Sequence, residues 1–227
     1  MAVDLAPAAA VVVAAYLCGA IPFGLLIGWA RGVDIRTQGS GNIGATNVGR
    51  VLGRLYGLLA FGLDLLKGFM PVWLAGFWLA AHSGGEALVA GDFLVWMAVA
   101  AACIVGHVFP VYLRFKGGKG VATSLGVLLG IWPYFTLPGL AAFGLWIGVT
   151  GLTRYVSVGS IAAAGAFPVL FAAAAHLARW GSAEHLWPLY AFSVILAALV
   201  IYRHRSNITR LLAGTESKIG ASRSAGG

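Results

Sequence analysis

The chain has 227 residues, of which 60% are hydrophobic and only 10% are charged. Soluble domains carry roughly a quarter of charged residues, and the strict polar and apolar alternation of a membrane β-barrel is absent here. The composition therefore excludes an ordinary soluble domain and predicts a polytopic α-helical membrane protein. The net charge of +8 would suggest nucleic acid as a partner of a soluble protein, but in a membrane protein the positions of the cations decide their meaning.

The first apolar run, residues 5–30, is long enough to span a bilayer and lacks the basic start of a signal peptide. Pro22 lies inside this run and predicts a kinked helix. A polar, Gly-rich loop follows over residues 31–50. The later apolar runs are residues 51–80, 93–110, 121–150, 155–178 and 189–202.

The run 121–150 is ambiguous, because Pro133 and Pro138 near its middle suit either one kinked helix or two short helices that meet at a turn. If it crosses the membrane twice, 13 of the 15 Lys and Arg residues fall on one side, which the positive-inside rule identifies as cytoplasmic. We therefore predict seven transmembrane helices, the fourth and fifth short, with the N-terminus outside and the C-terminus in the cytoplasm. Residues 1–227 then form a single integral membrane domain, and residues 203–227 are its basic cytoplasmic tail. The cations placed together are Arg31, Arg36, Arg50, Arg54, Arg114, Lys116, Lys119, Arg154, Arg203, Arg205, Arg210, Lys218 and Arg223.

The loop 106–123 sets three cations among close-spaced glycines. Glycines such as Gly117 and Gly118 let backbone amides approach a ligand, and lysines supply point charges, so the combination suits a phosphate. A membrane-surface anchor would explain Arg114 and Lys116 equally well. It explains Lys119 less well, because this lysine lies between glycines at a predicted helix start. Lys119 is therefore the predicted phosphate ligand of this loop, and Lys116 is a second candidate.

The loop 38–50 has a different set of donors. Its small residues allow an anion-binding backbone nest, and Ser40, Asn42, Thr46 and Asn47 add side-chain donors. The loop is expected to end at Arg50 just before a helix N-terminus, which would favour anions further. A flexible polar linker has a similar composition. Such a linker would not need so many donors beside an arginine, so an anion site is predicted.

Three ionisable residues fall in or next to apolar runs. His107 lies at the cytoplasmic end of its span, where an interfacial side chain and a proton carrier or phosphate donor are equally good interpretations. Asp64 and Lys67 are three residues apart and share a helical face. Because each would cost roughly 2.5–3.5 kcal/mol alone in a membrane, a mutual ion pair is favoured over a catalytic role.

The C-terminal third adds further candidates. Ser157 lies in a short turn that leads into the sixth helix. A basic run after a final span usually anchors a protein to anionic lipid, but anchoring does not explain His204 and Asn207, which share a helical face, or the isolated Glu216. No nucleophilic triad or acidic metal cluster can be assembled. The pattern predicts anion binding without a metal or cofactor.

Several segments match a known family in order along nearly the whole chain. The long ones are residues 39–47 with Arg50, and residues 106–110 with 115–123. The supporting ones are residues 64–68, 154–157, 204–208 and 214–216. Together they resemble the bacterial acyl-phosphate:glycerol-3-phosphate acyltransferase family.

The resemblance implies an integral enzyme of the bacterial inner membrane with its active site on the cytoplasmic face. It would transfer a fatty acyl group from acyl phosphate to the sn-1 hydroxyl of glycerol 3-phosphate, the first acylation of phospholipid synthesis. Acyl phosphate, glycerol 3-phosphate and membrane lipid are the expected partners, nucleic acid is not, and a monomer is expected to suffice. The predicted catalytic residues are Ser40, His107, Lys119, His204 and Asn207. The predicted substrate contacts are Gly41, Asn42, Thr46, Asn47, Arg50, Lys116, Gly117, Gly118, Ser157 and Glu216.

Two points stay open at the level of sequence. A transporter of a phosphorylated metabolite or lipid would also need cations at a membrane site, although its binding groups should lie near the midplane rather than on one face. In the acyltransferase reaction, the proton acceptor is either the departing phosphate or one of His107 and His204.

Overall fold

The computed structural model describes residues 5–219, and every regular element in this range is helical. Two short 3₁₀ turns, Ile35–Thr37 and Val111–Leu113, interrupt the connections. The α-helices are α1 Leu5–Ala20, α2 Phe23–Ala30, α3 Ala45–Leu52, α4 Arg54–His82, α5 Ala90–Val108, α6 Val121–Gly130, α7 Thr136–Thr153, α8 Val156–Leu177, α9 Ala183–Arg203 and α10 Arg205–Leu212.

The helices confirm an all-α, multi-pass membrane protein. Within residues 5–219, six stretches are long and apolar enough to cross a membrane: Ala6–Ala30, Arg54–His82, Ala90–Leu113, Thr136–Thr153, Val156–Leu177 and Ala183–Arg203. The remaining apolar helix, α6, has 10 residues. That is ~15 Å of helix against a hydrocarbon core of ~30 Å. A crossing by α6, and with it the predicted count of seven and the orientation of the termini, stays a prediction, and Arg223 of the predicted cytoplasmic set lies outside the described residues.

The ambiguous run forms two helices, because the chain turns over residues 131–135 between α6 and α7. The prediction that the fifth helix is short is wrong, since α7 has 18 residues. Pro138 is the third residue of α7, where its missing N–H breaks no intrahelical hydrogen bond. The helix can therefore begin ahead of this proline and continue to Thr153.

The Gly-rich loop contains a helix that the sequence pattern did not indicate. We expected Arg50 to precede a helix, but it lies in the last turn of α3, which begins at Ala45 after the N-cap residue Gly44. Val48 and Asn47 face the interior of the protein, whereas Arg50 is exposed. The N-terminus of the helix, with its free amide groups, therefore lies inside the loop rather than after it.

Pro22 breaks the first span instead of only kinking it, since α1 ends at Ala20 and α2 begins at Phe23. Lys67 of α4 reaches this break and donates a hydrogen bond to the carbonyl of Ile21 at 2.6 Å. The same ammonium lies 2.8 Å from Asp64, and both side chains are at most 4% exposed. The predicted ion pair is confirmed, and the same ammonium gives the carbonyl of Ile21 at the helix break a charged donor beside the amide of Phe23.

Glycines let α6 approach α4 closely. A side chain at Gly126 of α6 would collide with the carbonyl of Leu65, and a side chain at Gly68 of α4 would collide with the carbonyl of Thr123. Small residues at such a contact bring two helix backbones together, which is how membrane helices commonly associate. The contact holds the short α6 against the 29-residue α4, and so fixes the loop that leads into α6.

Replacement of Gly126 tests this contact. Gly126→Ala should destabilise the protein by about 1–3 kcal/mol, because the new methyl group overlaps the backbone of α4. Gly62→Ala on α4 is the matched control, since its methyl group would enter open space, and it should leave the stability equal or slightly higher. Thermal unfolding of the detergent-purified proteins measures both, and equal melting temperatures for the two variants would contradict the packing account.

Candidate active site

Most predicted site residues converge on one polar cavity of about 1020 Å³. Their elements are distant in the sequence: the Gly-rich loop with α3, the loop before α6, the start of α8, and α10 with the segment after it. The predicted residues that line the cavity are Ser40, Asn42, Thr46, Asn47, Arg50, His107, Lys119, Ser157, His204, Asn207 and Glu216. Gly41, Lys116, Gly117 and Gly118 are not among the residues that line it.

Asn47 holds the Gly-rich loop in shape. Its Nδ2 group donates to the carbonyls of Ile35 at 3.0 Å and Gln38 at 3.1 Å, and its Oδ1 atom accepts the amide of Ser40 at 2.8 Å. Asn47 is 2% exposed. Its amide is thus committed to the loop backbone, and the exposed side chains of Ser40 and Thr46 are what this loop presents to the cavity.

Gly117 and Gly118 pack against the end of α5. Their amides donate to the carbonyls of Val108 and His107, and Arg203 donates to both of their own carbonyls, at 3.3 and 2.8 Å. A side chain at Gly117 would collide with the backbone of His107, and one at Gly118 with its imidazole. Close packing therefore explains these two glycines, and the structure does not place them at the cavity.

Lys119, the predicted phosphate ligand of this loop, lines the polar cavity. Its ammonium contacts the Oδ1 atom of Asn207. Burial is the main cause that lowers the pKa of Lys119 from 10.5 to about 8; the nearby Glu216 opposes the shift and three arginines add to it. Lys119 is thus mostly protonated at neutral pH. Lys116, by contrast, is exposed outside the cavity, as expected of an anchor.

Three donors converge on the carboxylate of Glu216. The Oε1 atom accepts from Asn207 at 2.5 Å and from Ser157 at 2.9 Å, while Oε2 accepts from Arg210 at 2.6 Å. Burial raises the pKa of Glu216, but these hydrogen bonds outweigh burial and hold the pKa below its usual value. The ionised carboxylate therefore ties the start of α8 and the face of α10 to the C-terminal segment.

His204 is a neutral acceptor. Burial lowers the pKa of its imidazole to about 4. Its Nδ1 atom lies 2.7 Å from the carbonyl oxygen of Val200. A carbonyl can only accept, so Nδ1 carries the proton and Nε2 has a free lone pair. His204 therefore brings no positive charge to the cavity at neutral pH, but it can accept a hydrogen bond from a hydroxyl.

His107 lines the cavity from the last turn of α5. Its Nδ1 atom is 3.7 Å from the Oδ1 atom of Asp64, which is beyond hydrogen-bond distance. The imidazole is 4% exposed and packs against Gly118. The geometry places His107 under the loop that carries Lys119, and it leaves both sequence interpretations of this histidine standing.

The charges of the cavity do not cancel. Asp64 pairs with Lys67, and Glu216 pairs with an arginine. In the part of the chain that the structure describes, no carboxylate lies within 4 Å of Arg50 or Lys119. Two cations without a carboxylate partner therefore line one partly enclosed space, where an anion is stabilised more than in bulk water.

Some groups that line the cavity were not predicted from the sequence. Arg210 lines the cavity. His204, Asn207 and Arg210 follow one another at intervals of three, and this helical spacing could have indicated the arginine. Asp64 lines the cavity as well, although it was interpreted only as an ion-pair partner. The backbone amides of Ala45 and Thr46 at the start of α3 were missed because that helix was missed.

A second cavity, of about 600 Å³, lies next to the polar one and is lined almost wholly by apolar side chains. It lies between α6, α7, α8 and α9. Phe61, Val121 and Trp146 line both cavities. A ligand with a charged head and an apolar tail would find both environments in direct contact at this junction.

Comparison with known proteins agrees with this combination. The family model described as glycerol-3-phosphate acyltransferase matches residues 9–214. The glycerol-3-phosphate acyltransferase of Trichlorobacter lovleyi is 47% identical over 207 residues, covering 91% of this chain and 95% of the relative. The enzyme of the same description from Aquifex aeolicus is 43% identical, covering 91% of this chain and 96% of the relative.

Two crystal structures are also similar. Both are of PlsY (YgiH), an integral membrane glycerol 3-phosphate acyltransferase, in its glycerol 3-phosphate form and its lysophosphatidic acid form. Each is 40% identical and covers 94% of this chain and 96% of the other, with TM-scores of 0.77 and 0.76. The chain therefore belongs to the glycerol-3-phosphate acyltransferase family.

Proposed function

We propose that this chain transfers a fatty acyl group from acyl phosphate to the sn-1 hydroxyl of glycerol 3-phosphate, giving lysophosphatidic acid and inorganic phosphate. The observation that carries the proposal is the junction of a polar cavity, with two cations lacking a carboxylate partner, and an apolar cavity between helices. The family supports the acceptor, since the relatives are named for glycerol 3-phosphate. Acyl phosphate as the donor brings a second phosphate to the same cavity.

Glycerol 3-phosphate is placed on the side of the cavity formed by Lys119 and α10. Lys119 and Arg50 supply positive charge for its phosphate, and Asn207 and His204 supply polar contacts for its glycerol hydroxyls. Ser157 lies nearby but donates to Glu216. We assign Glu216 to holding this wall together, because its oxygens already accept three donors and a carboxylate repels phosphate.

The phosphate head of acyl phosphate is placed at the Gly-rich loop. Ser40 and Thr46 present exposed hydroxyls there, and the amides at the start of α3 carry the positive end of the helix dipole. Asn42 lines the same wall, although its Oδ1 atom accepts the amide of Gly44 at 2.9 Å. The acyl chain would then enter the apolar cavity past Val121.

The reaction needs little chemistry beyond positioning. The sn-1 hydroxyl oxygen attacks the acyl carbonyl carbon, the bond between that carbon and the phosphate oxygen breaks, and the hydroxyl proton moves to an acceptor. A phosphate has a second pKa of ~6, whereas the pKa of His204 is about 4. The departing phosphate is therefore the better proton acceptor. His204 would orient the hydroxyl through Nε2, and the cations would stabilise the departing phosphate.

The proposed topology has seven crossings of the bacterial inner membrane and a cytoplasmic active site. Its support is the positive-inside bias, which requires α6 and α7 to cross separately. The turn between α6 and α7 is compatible with that arrangement, and the glycine contact with α4 shelters the short α6. The active site would then lie on the face where glycerol 3-phosphate is dissolved and where the phosphate head of acyl phosphate is exposed to water.

Loss of the predicted cation tests the site. Lys119→Ala should lower the turnover of acyl phosphate and glycerol 3-phosphate by about a hundredfold or more, because the phosphate charge loses its partner. Lys116→Ala is the matched control, since it removes an exposed lysine three residues away, and it should stay within about twofold of the original chain. Formation of labelled lysophosphatidic acid by purified protein measures both. Equal activity of the two variants would remove Lys119 from the site.

Loss of the Ser40 hydroxyl tests the wall formed by the Gly-rich loop. Ser40→Ala should lower turnover by at least about tenfold through weaker contact with the acyl-phosphate head. The fold should survive, because the bond that holds this loop to Asn47 uses the backbone amide of Ser40. Thr37→Ala, at an exposed position before the loop, serves as the control. Unchanged turnover of Ser40→Ala would move the acyl-phosphate head away from this loop.

The pH dependence should report Lys119. Its pKa of about 8 means that the ammonium loses its charge as pH rises through that value. The kcat/KM for glycerol 3-phosphate should therefore fall on the alkaline side, approaching tenfold per pH unit. Lys119→Arg keeps a charged group at all these pH values, so its residual activity should lack this alkaline decline. The same decline in the arginine variant would assign it to another group.

A further inference from the structure

The apolar cavity has a near end and a far end relative to the polar cavity. Val121 and Trp146, which line both cavities, mark the near end. Leu128, Gly139 and Phe167 line the far end. Leu128 lies seven positions after Val121 on α6, and Trp146 lies seven positions after Gly139 on α7. The cavity is therefore ~10 Å deep along these helices.

Aromatic rings close the far end. Phe167 is 2% exposed and meets Phe135 edge-on, with ring centroids 5.1 Å apart. Phe135 is fully buried and meets Phe171 in the same way at 4.9 Å. At the same end, a Cβ atom at Gly139 would lie only 3.0 Å from the Cβ atom of Leu128. The cavity thus ends against packed side chains.

The depth of the cavity sets how many methylene groups it can hold. With C–C bonds of ~1.5 Å, an extended alkyl chain advances ~1.25 Å per carbon, so about eight carbons reach the floor. Each buried methylene group contributes about fourfold in affinity. Carbons beyond the floor gain nothing from the cavity, because they must turn sideways past half-buried wall residues such as Leu125 and Phe143 toward the lipid.

We propose that Phe167 determines the chain-length selectivity of this acyltransferase by forming the floor of the acyl cavity. The inference rests on the proposed function, since it takes the acyl chain to occupy this cavity. The reach of the cavity-bound part of the chain is set by the position of the phenyl ring. Longer chains are accepted, but carbons beyond the floor do not raise kcat/KM further.

The test is a chain-length profile. The purified full chain is assayed with saturated acyl phosphates of six to sixteen carbons and labelled glycerol 3-phosphate. Phe167→Ala opens space beyond the floor for about three more carbons. The ratio of kcat/KM between this variant and the original chain should therefore rise by tenfold or more between the eight-carbon and twelve-carbon donors. Partitioning of longer donors into detergent affects both proteins equally and cancels in the ratio.

Two further variants separate the floor from general stability. Phe171→Ala removes an identical side chain that packs on the same Phe135 but does not line the cavity, so its ratio should be constant across chain lengths. Gly139→Ala adds a methyl group to the far end, so its ratio should fall for donors of eight carbons and longer. If Phe167→Ala does not fold, Phe167→Leu, a smaller truncation at the same position, takes its place and should shift the profile in the same direction.

A flat ratio for either Phe167→Ala or Gly139→Ala would overturn the inference, and so would an equal slope for Phe171→Ala. These outcomes differ from a failure of the proposed function. In that case the original chain would form no lysophosphatidic acid from acyl phosphate of any length.

Discussion

The carboxylate of Glu216 is the interaction on which the polar cavity depends. It draws Asn207, Ser157 and an arginine of α10 onto two oxygens, at distances of 2.5 to 2.9 Å. Asn207, held in this way, offers its Oδ1 atom to the ammonium of Lys119. One ionised acid thus positions a cation without neutralising it by direct contact. Charge remains available for a phosphate, while the side chains around it are fixed before the ligand arrives.

The polar cavity lies next to segments of the chain that are not helical. The break at Pro22, the Gly-rich loop and the loop before α6 all expose polar backbone groups, which are costly inside a membrane unless partners satisfy them. Lys67 satisfies one such carbonyl and Asn47 satisfies two others. The buried charged and polar side chains therefore hold the irregular backbone around the cavity in place.

The sequence predicted the class of the protein and most of the polar residues that line the cavity, because both depend on simple patterns. Apolar runs predict membrane helices from length and composition alone. Lys119, His204 and Asn207 stood out because membrane anchoring does not explain them, and all three line the cavity. The glycines of the 106–123 loop were harder to interpret. Glycine serves close backbone packing and ligand approach equally, and for Gly117 and Gly118 only the structure reveals the contact with His107.

Other features depend on contacts between distant residues. The helix α3 was missed since a short segment with a glycine and three polar residues has weak helical preference, and its buried face becomes evident only after folding. The prolines at 133 and 138 signalled a turn but not which of them lies outside the helix. The bonds of Glu216 join residues up to 59 positions apart, and no local pattern encodes such a partner.

The proposed reaction is tested most directly by the choice of acyl donor by purified protein with labelled glycerol 3-phosphate. Acyl phosphate alone should give labelled lysophosphatidic acid, with one inorganic phosphate released for each product molecule formed. Product that forms only when acyl-coenzyme A or acylated carrier protein is supplied would contradict it, because a donor without the acyl-phosphate head would not need the second phosphate site in this cavity.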